Sequence, residues 1–415
     1  MEIRRRRERV ARAWALDDEL VLVEAGRPIG IPGGMDQVYR YRPHPDYYFL
    51  TEDRRPGGVL AFDPNEGWKH FLPRVTVAEQ YWTGQVPHSY PDLDDLAQWL
   101  KQRSHRPLAR LGVASGECDR ELSQRLELAL LHARRPKDPT QLERMRRAAR
   151  ATAAGHARLV ECLAPGVSER ALQIELEAEF FRAGGDDVAY HTIVLAGARS
   201  AILHGHPGAT PVKPGEFVLV DAGAEVEGYA SDVTRTHLLG PSEGRRQALY
   251  QLVLEAQKAA LAECRPGREF SDLHLQTAHR LAAGLVELDL WRGSAQQMVE
   301  MGGIDLFFPH GLGHMVGMGV RDAGGWLPGR KAFATPGGTQ LRLNLPLEVG
   351  YVVTIEPGLY FIKPLLQSSD HRQTFAQEMN WEEVDRWLEV GGVRIEDNLL
   401  ITAAEPENLT EGIAK

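Results

Sequence analysis

The spacing of apolar and polar positions changes period several times along the chain, and the changes mark out its elements. Between residues 18 and 75, short apolar runs alternate with turn residues: LVLV at 20 to 23, DYYFLT at 46 to 51, GGVLAFDP at 57 to 64 and WKHFLPR at 68 to 74. That pattern predicts strands. Helical spacing then takes over in LDDLAQWLKQR (93 to 103) and ECDRELSQRLELALLHARR (117 to 135), with a strand expected between them at RLGVAS (110 to 115). The mixture predicts an α/β domain. RRPKDPT (134 to 140) combines two prolines with a charge cluster, which breaks the preceding helix and suits a linker. The expected domains are therefore 1–136 and 137–415. Two long helices should follow, at 141 to 163 and 165 to 185, the second with Ser168 as N-cap and Gly184-Gly185 as its stop. Strands dominate from residue 186, interrupted by helical regions at 242 to 264 and 271 to 290.

The run FVLVDAGAEVEGYASDVTRT (217 to 236) departs from this regularity, because it carries two aspartates into what reads as a buried hairpin. Strands disfavour aspartate. With the hairpin centred between Val226 and Glu227, Asp221 and Asp232 pair directly across it and share a face, their Cβ atoms about 4.5–5.5 Å apart. Two such carboxylates repel unless they share a proton or a cation. From this stretch alone two readings stay open: a metal site, or one aspartate capping a turn while the other is solvated.

At 415 residues the chain exceeds the usual single-domain size. Its 43% hydrophobic and 25% charged residues are ordinary for a globular protein. A net charge of −9 provides no basic field for nucleic acid, and no run of about 18 apolar residues is present to cross a bilayer, so neither nucleic acid nor membrane is an expected partner. MEIRRRRERV at the start lacks an apolar h-region and reads as a solvated helix start. Cys118, Cys162 and Cys264 are too few and too scattered for a disulfide framework or a thiolate metal site, and a reducing cytoplasm fits them.

Four further stretches place acids or histidines where an apolar residue is expected. FPHGLGHMVGMGVRD (308 to 322) spaces His310 and His314 by four among glycines. Gly311 and Gly313 argue against the regular helix of a zinc protease and for irregular or strand backbone, with one histidine as metal ligand and the other as a site residue. Each is also readable as a hydrogen-bonded structural histidine. YVVTIEPGLYF (351 to 361) puts Val352, Thr354 and Glu356 on one face of a strand that Pro357 ends. GGVRIEDNLLIT (391 to 402) puts Arg394 and Glu396 on one face. ILHGHPG (202 to 208) adds His204 and His206, readable also as a surface turn.

Taken in order, the motifs LVDAG…ASDVTRT, PHGLGHMVGM, TIEPGLYF and GGVRIEDN resemble the metallopeptidases of pita-bread fold, the superfamily of methionine aminopeptidase, aminopeptidase P, prolidase and creatinase. The resemblance spans roughly 137 to 410. The N-terminal part, with YRPHPDYYFLTE, looks like the accessory α/β domain of prolidases and aminopeptidase P. The implied fold is an N-terminal α/β domain followed by a C-terminal pita-bread α+β catalytic domain. By motif, the resemblance implies that Asp221, Asp232, His314, Glu356 and Glu396 hold two divalent ions, with Asp232 and Glu396 bridging. Four carboxylates and an imidazole are a hard donor set suited to Mn²⁺, with Co²⁺ or Zn²⁺ admitted by affinity order. Such a centre generates a bridging hydroxide and polarises a scissile carbonyl.

The same resemblance casts Glu356 as general base and His204 and His310 as groups that contact substrate and stabilise the tetrahedral intermediate. Arg394, on the face of Glu396, is expected to orient that ligand. The resemblance to prolidase is the closer one: Arg342 falls where prolidases bind the free carboxylate of a dipeptide, and Tyr190 matches a substrate-contacting tyrosine. Two departures stand out. The family's VHD is here Val320-Arg321-Asp322, which leaves Arg321 either gripping substrate carboxylate or serving as a salt-bridge partner, and LHY is here Leu203-His204-Gly205. The expectation is a cytoplasmic, homodimeric Xaa-Pro dipeptidase acting on small peptides with proline second. Aminopeptidase P, acting on longer peptides, is the alternative within the class. A non-catalytic pita-bread scaffold is the alternative outside it, disfavoured because all five ligands remain.

Overall fold

A computed structural model describes residues 2–113, 116–240 and 244–415. The chain divides into two compact units, Met1–Arg134 and Arg135–Lys415. The first holds a four-stranded sheet of β1 (Leu20–Glu24), β2 (Val59–Asp63), β3 (Gly67–Phe71) and β4 (Leu108–Gly112), in the order β3-β2-β1-β4. β4 runs parallel to β1 and the other pairs are antiparallel. Its helices are α1 (Glu2–Trp14), α2 (Pro45–Thr51), α3 (Val77–Thr83), α4 (Leu93–Lys101) and α5 (Arg120–Arg134).

The sequence expectation fails at α2, where the pattern of DYYFLT predicts a strand and the chain forms a helix. Pro45 sits in the first turn, the His44 ring accepts from Asp46 N and Glu52 closes the helix in the left-handed region. Asp46, Tyr47, Tyr48, Phe49 and Leu50 are all buried, so the run has no polar face and no period to separate helix from strand. α3, which the spacing does not announce, is nucleated by a capping box between Thr76 and Glu79. α1 is not a solvated segment: Arg6, Val10 and Trp14, at spacings of four, face inward, and Arg6 reaches Glu52 at 2.9 Å. Of the strand expected at 110–115 and the helix expected from 242, residues 114–115 and 242–243 lie outside the described residues.

The second unit opens with α6 (Pro139–Cys162) and α7 (Glu169–Arg182), the latter capped by Ser168 Oγ, which accepts from Ala171 N at 3.1 Å. β5 (Asp187–Val188), β6 (Ile193–Ala196), β7 (Phe217–Asp221), β8 (Ala224–Val226), β9 (Tyr229–Ala230) and β10 (Thr234–Leu238) follow. They form two small antiparallel sheets, β10-β7-β6 and β5-β8-β9. α8 (Arg245–Glu263) and α9 (Phe270–Glu287) then precede β11 (Gly325–Trp326), β12 (Leu343–Asn344), β13 (Val352–Ile355), β14 (Gly358–Tyr360), β15 (Gly392–Arg394), β16 (Asp397–Leu400) and β17 (Glu407–Asn408). β13 pairs with β16 and β14 with β15, both antiparallel. Leu249, Val253, Leu281 and Leu285 of α8 and α9 are buried in one core with Phe217, Phe307, Phe361 and Trp387. That core backs the strands whose ends carry the polar cluster.

Candidate metal centre

The hairpin after β7 turns at Glu227-Gly228, both with positive φ (51° and 85°), as a two-residue primed turn requires. Its pairs are Val226 with Tyr229 and, further out, Asp221 with Thr234. The centre thus lies one residue later than the sequence suggests, and Asp221 faces Thr234 rather than Asp232. A non-glycine residue in the left-handed region hides this turn, and Arg144 and Arg147 hold Glu227 there at 2.7 and 2.6 Å. Moving the centre by one residue moves the partner of Asp221 by two, from Asp232 to Thr234, so Asp232 keeps its side of the ribbon. The return strand is also broken between β9 and β10. A Cβ on Gly223 would come within 1.8 Å of the Ser231 carbonyl, so glycine is needed where the two backbones touch.

His314 arrives from a different stretch. Gly313 lets the loop lie against β13, since a Cβ there would sit 2.0 Å from the Thr354 carbonyl. His314 N donates to Thr354 Oγ1 and Thr354 N donates to the His314 carbonyl, both at 2.9 Å. The ring Nδ1 lies 3.0 Å from the Met315 carbonyl and donates to it, which leaves the Nε2 lone pair free to ligate. Nε2 points at Asp232 Oδ2 (3.4 Å) and Glu356 Oε1 (3.7 Å). Asp232 is fixed by Asn398, whose Oδ1 accepts from Asp232 N (2.9 Å) and whose Nδ2 donates to the Asp232 carbonyl (2.7 Å). Glu396 Oε2 accepts from Thr234 Oγ1 at 2.6 Å.

Arg394 is buried, and its bonds correct the expectation that it orients Glu396. Nη2 donates to Asp221 Oδ2 (2.6 Å), Nη1 to Tyr360 Oη (2.9 Å) and Nε to Thr234 Oγ1 (2.9 Å). It orients Asp221 directly and reaches Glu396 only through the Thr234 hydroxyl. Tyr190 Oη donates to the other Asp221 oxygen at 2.7 Å. His310 Nδ1 donates to the Gly311 carbonyl and Nε2 faces Tyr360 Oη, each at 2.9 Å, while Glu356 Oε2 lies 3.9 Å from Nδ1. Burial pushes the His310 imidazole down to about 3 and the Tyr360 phenol up to about 12. Thr234, Asn398 and Tyr360 were not singled out from the sequence, although Thr234 follows Asp232 by two and Asn398 follows Glu396 by two, positions that alternation puts on the same side.

Burial raises the carboxyls of Asp221, Glu356 and Glu396, and the neighbouring carboxylates carry Glu396 well above its usual range. Burial alone would lower the His314 imidazole, yet Asp232 and Glu356 beside it raise it. Ligand atoms of Asp232, His314 and Glu396 all lie within 4.8 Å of one another. Crowded, buried carboxylates around an imidazole with a free Nε2 fit divalent cations and fit little else. His204, Arg321 and Arg342 are exposed. The charges of Arg394, Arg342, Asp221 and Arg321 act on His204, and those of Arg321, Glu356 and Asp232 on Arg342. Among the described residues, the side chains of Arg321 and Arg342 make no hydrogen bond or ion pair. Asp322, beside Arg321, is instead tied to the buried Lys137 at 3.1 Å.

Buried carboxylates converging with one imidazole at the ends of paired strands define a candidate centre for divalent metal. The chain belongs to metallopeptidase family M24, whose family model matches residues 143–403. It is 35% identical over 325 residues to an Xaa-Pro dipeptidase of Shewanella frigidimarina, covering 76% of this chain and 71% of that one. It is 30% identical over 409 residues to the Xaa-Pro dipeptidase of Shewanella sediminis, covering 91% and 89%. Among solved structures, the aminopeptidase PepP of Pseudomonas aeruginosa superposes with a TM-score of 0.82 at 28% identity, covering 100% of this chain and 95% of that one. Aminopeptidase P of Escherichia coli with the inhibitor Pro-Leu gives 0.81 at 25%, with the same coverage. The second unit is thus the pita-bread α+β fold, preceded by the α/β unit these neighbours share. The chain is a metallopeptidase, and no described helix is long and apolar enough to cross a membrane.

Proposed function

We propose that this metallopeptidase is an Xaa-Pro dipeptidase, hydrolysing the imide bond of dipeptides with proline second. The observation that carries the reading is Arg342: an exposed guanidinium without a hydrogen-bonding partner among the described residues, within electrostatic reach of Glu356 and Asp232. A dipeptide presents its free carboxylate close to the scissile bond, and a planar guanidinium is its natural partner. Arg321, whose charge acts on Arg342, is the second cation for that carboxylate. Likeness to curated Xaa-Pro dipeptidases at 30–35% identity supports the same reading.

Asp221, Asp232, His314, Glu356 and Glu396 would hold two divalent ions, for which Mn²⁺ suits the oxygen-rich set. Bound there, the ions would supply Lewis-acid polarisation and a hydroxide near neutral pH. Glu356, the least enclosed of these acids, is placed to take and return a proton as general base. His204 would donate to the developing oxyanion, while His310, whose Nδ1–H is given to the Gly311 carbonyl and whose Nε2 lies against Tyr360 Oη, would contact the substrate through its ring. Arg394 keeps Asp221 in its ligating orientation, and Tyr190 shares that task while bordering the substrate. A homodimer in the cytoplasm completes the reading.

The test is a substrate profile of Ala-Pro against Ala-Pro-containing tripeptides, with and without Mn²⁺. Metal-dependent release of proline from Ala-Pro is expected, and Arg342→Ala should harm dipeptides far more than tripeptides. The similarity of fold to aminopeptidase P favours a second reading, in which longer peptides are cut. Cleavage of tripeptides alone would establish that reading and refute the first.

A further inference from the structure

The segment that delivers Arg342 hangs on one buried carboxylate. Asp305, 8% exposed, lies in the 3-10 turn Gly303–Leu306, on the stretch that leads to His310. Its Oδ2 accepts from Thr335 Oγ1 and from Thr339 N (3.4 Å), and Thr339 N also donates to Thr335 Oγ1 at 2.9 Å. Thr335 and Thr339 are themselves buried, at 7% and 8% exposure. They frame a small hairpin in which Thr335 N donates to the Thr339 carbonyl (3.0 Å) and Leu341 N to the Phe333 carbonyl (3.1 Å). Gly337 at its tip passes so close that a Cβ would lie 2.3 Å from Asp305 Oδ2.

Arg342 follows directly. Its backbone runs between two glycines: a Cβ on Gly325 would lie 2.2 Å from the Arg342 carbonyl oxygen, and one on Gly311 would lie 3.8 Å from Arg342 N. Gly311 is next to His310. Asp305 therefore ties the stretch that carries His310 to the stretch that carries Arg342, and it does so without touching the carboxylate cluster. Burial raises its carboxyl, opposed by the hydroxyl and backbone donors of the hairpin.

We infer that Asp305 is a positioning residue for Arg342: by fixing the Thr335–Thr339 turn it sets where the guanidinium meets the free carboxylate of the substrate, and so sets the preference for dipeptides. The inference rests on the role of Arg342 proposed above. A merely structural Asp305 would, when removed, lower stability and slow all substrates alike. A positioning Asp305 moves KM for the substrate whose carboxylate Arg342 binds.

The test compares Asp305→Ala, Thr335→Val and Thr335→Ser with Arg342→Ala and with the double variant Asp305→Ala/Arg342→Ala, all as the Mn²⁺-loaded full chain. Asp305→Ala and Thr335→Val should raise KM for Ala-Pro about tenfold or more, the scale on which supporting hydrogen bonds act. kcat, Mn²⁺ binding and tripeptide cleavage should stay near wild type, and Thr335→Ser, which keeps the hydroxyl, should restore KM. On the Arg342→Ala background the Asp305 change should add nothing. If Arg342→Ala separates dipeptides from tripeptides and Thr335→Val does not, the inference fails while the role of Arg342 stands. If Arg342→Ala does not separate them, that role fails and the inference with it. Full additivity in the double variant also overturns it.

Discussion

Thr234→Val tests whether the metal centre depends on the hydroxyl that joins its two halves. Thr234 is fully buried, and valine keeps its shape while removing the oxygen. Two bonds are lost: the donation to Glu396 Oε2 at 2.6 Å and the acceptance from Arg394 Nε at 2.9 Å. Arg394 keeps its donations to Asp221 and Tyr360, so its loss is partial. Glu396 loses the one side-chain hydrogen bond it makes among the described residues. A hydrogen bond to a charged group contributes about 1.5–3 kcal/mol, and at about 1.4 kcal/mol per factor of ten this corresponds to roughly 10- to 100-fold in metal affinity. Calorimetric titration of the metal-stripped protein with Mn²⁺ reads the constant directly, and melting curves with and without Mn²⁺ separate site loss from general destabilisation. A variant that melts earlier but binds Mn²⁺ within about twofold of wild type would refute the claim that this hydroxyl holds Glu396 for the metal.

Chelation with EDTA should abolish peptidase activity and lower the melting temperature, because ions that bind only the folded state stabilise it by mass action; Mn²⁺ should restore both. Gly313→Ala should cost both stability and metal binding, since its Cβ would meet the Thr354 carbonyl at 2.0 Å and push His314 from β13; circular dichroism melting and Mn²⁺ titration would read the two losses, and a neutral outcome would refute the close approach. Asp63 offers a pH test away from the centre. Burial alone would raise its carboxyl, but Arg106 and Arg103, with the Asn65 amide, hold it at about 2. Its contribution to stability should be complete above the unfolded value of about 3.9 and be lost as pH falls toward 2. Asp63→Asn should flatten the melting temperature across that window, and an unchanged pH profile would refute the ion-pair account.

The sequence was most legible where a period and a breaker coincide. Ser168 and the helix after it, the strand ending at Glu356 and the pairing of Arg394 with Glu396 on one side all follow from alternation and caps. It was least legible where burial removes the period, as in α2, or where an unlikely residue makes a turn, as Glu227 does with φ of 51°. Motif order brought Asp221, Asp232, His314, Glu356 and Glu396 together, and the structure brings Asp232, His314 and Glu396 within ligand reach of one another. Alternation gives the face of a side chain but not its partner. Arg394 shares a side with Glu396 yet spends its shortest bond on Asp221, because a long side chain reaches across to β7.

That crossing shows why the centre is not a local property of any one stretch. Asp232 is fixed by Asn398 of β16, His314 by Thr354 of β13, Glu396 by Thr234 of β10 and Asp221 by Arg394 of β15. Each candidate ligand outside the partly exposed Glu356 is held by a residue from a distant segment, and β13 and β16 are themselves paired, with Thr354 opposite Asn398. The polar positions that hold Asp232 and His314 therefore meet at one rung of one ladder. A slip of a single residue in either strand would turn its own member of that pair, Thr354 or Asn398, away from the cluster. The register of β13 against β16, set by apolar neighbours such as Val353, Ile355 and Leu399 in a common core, is thus what makes the metal site, and single-residue insertions in either strand should abolish Mn²⁺ binding even where the variant still folds.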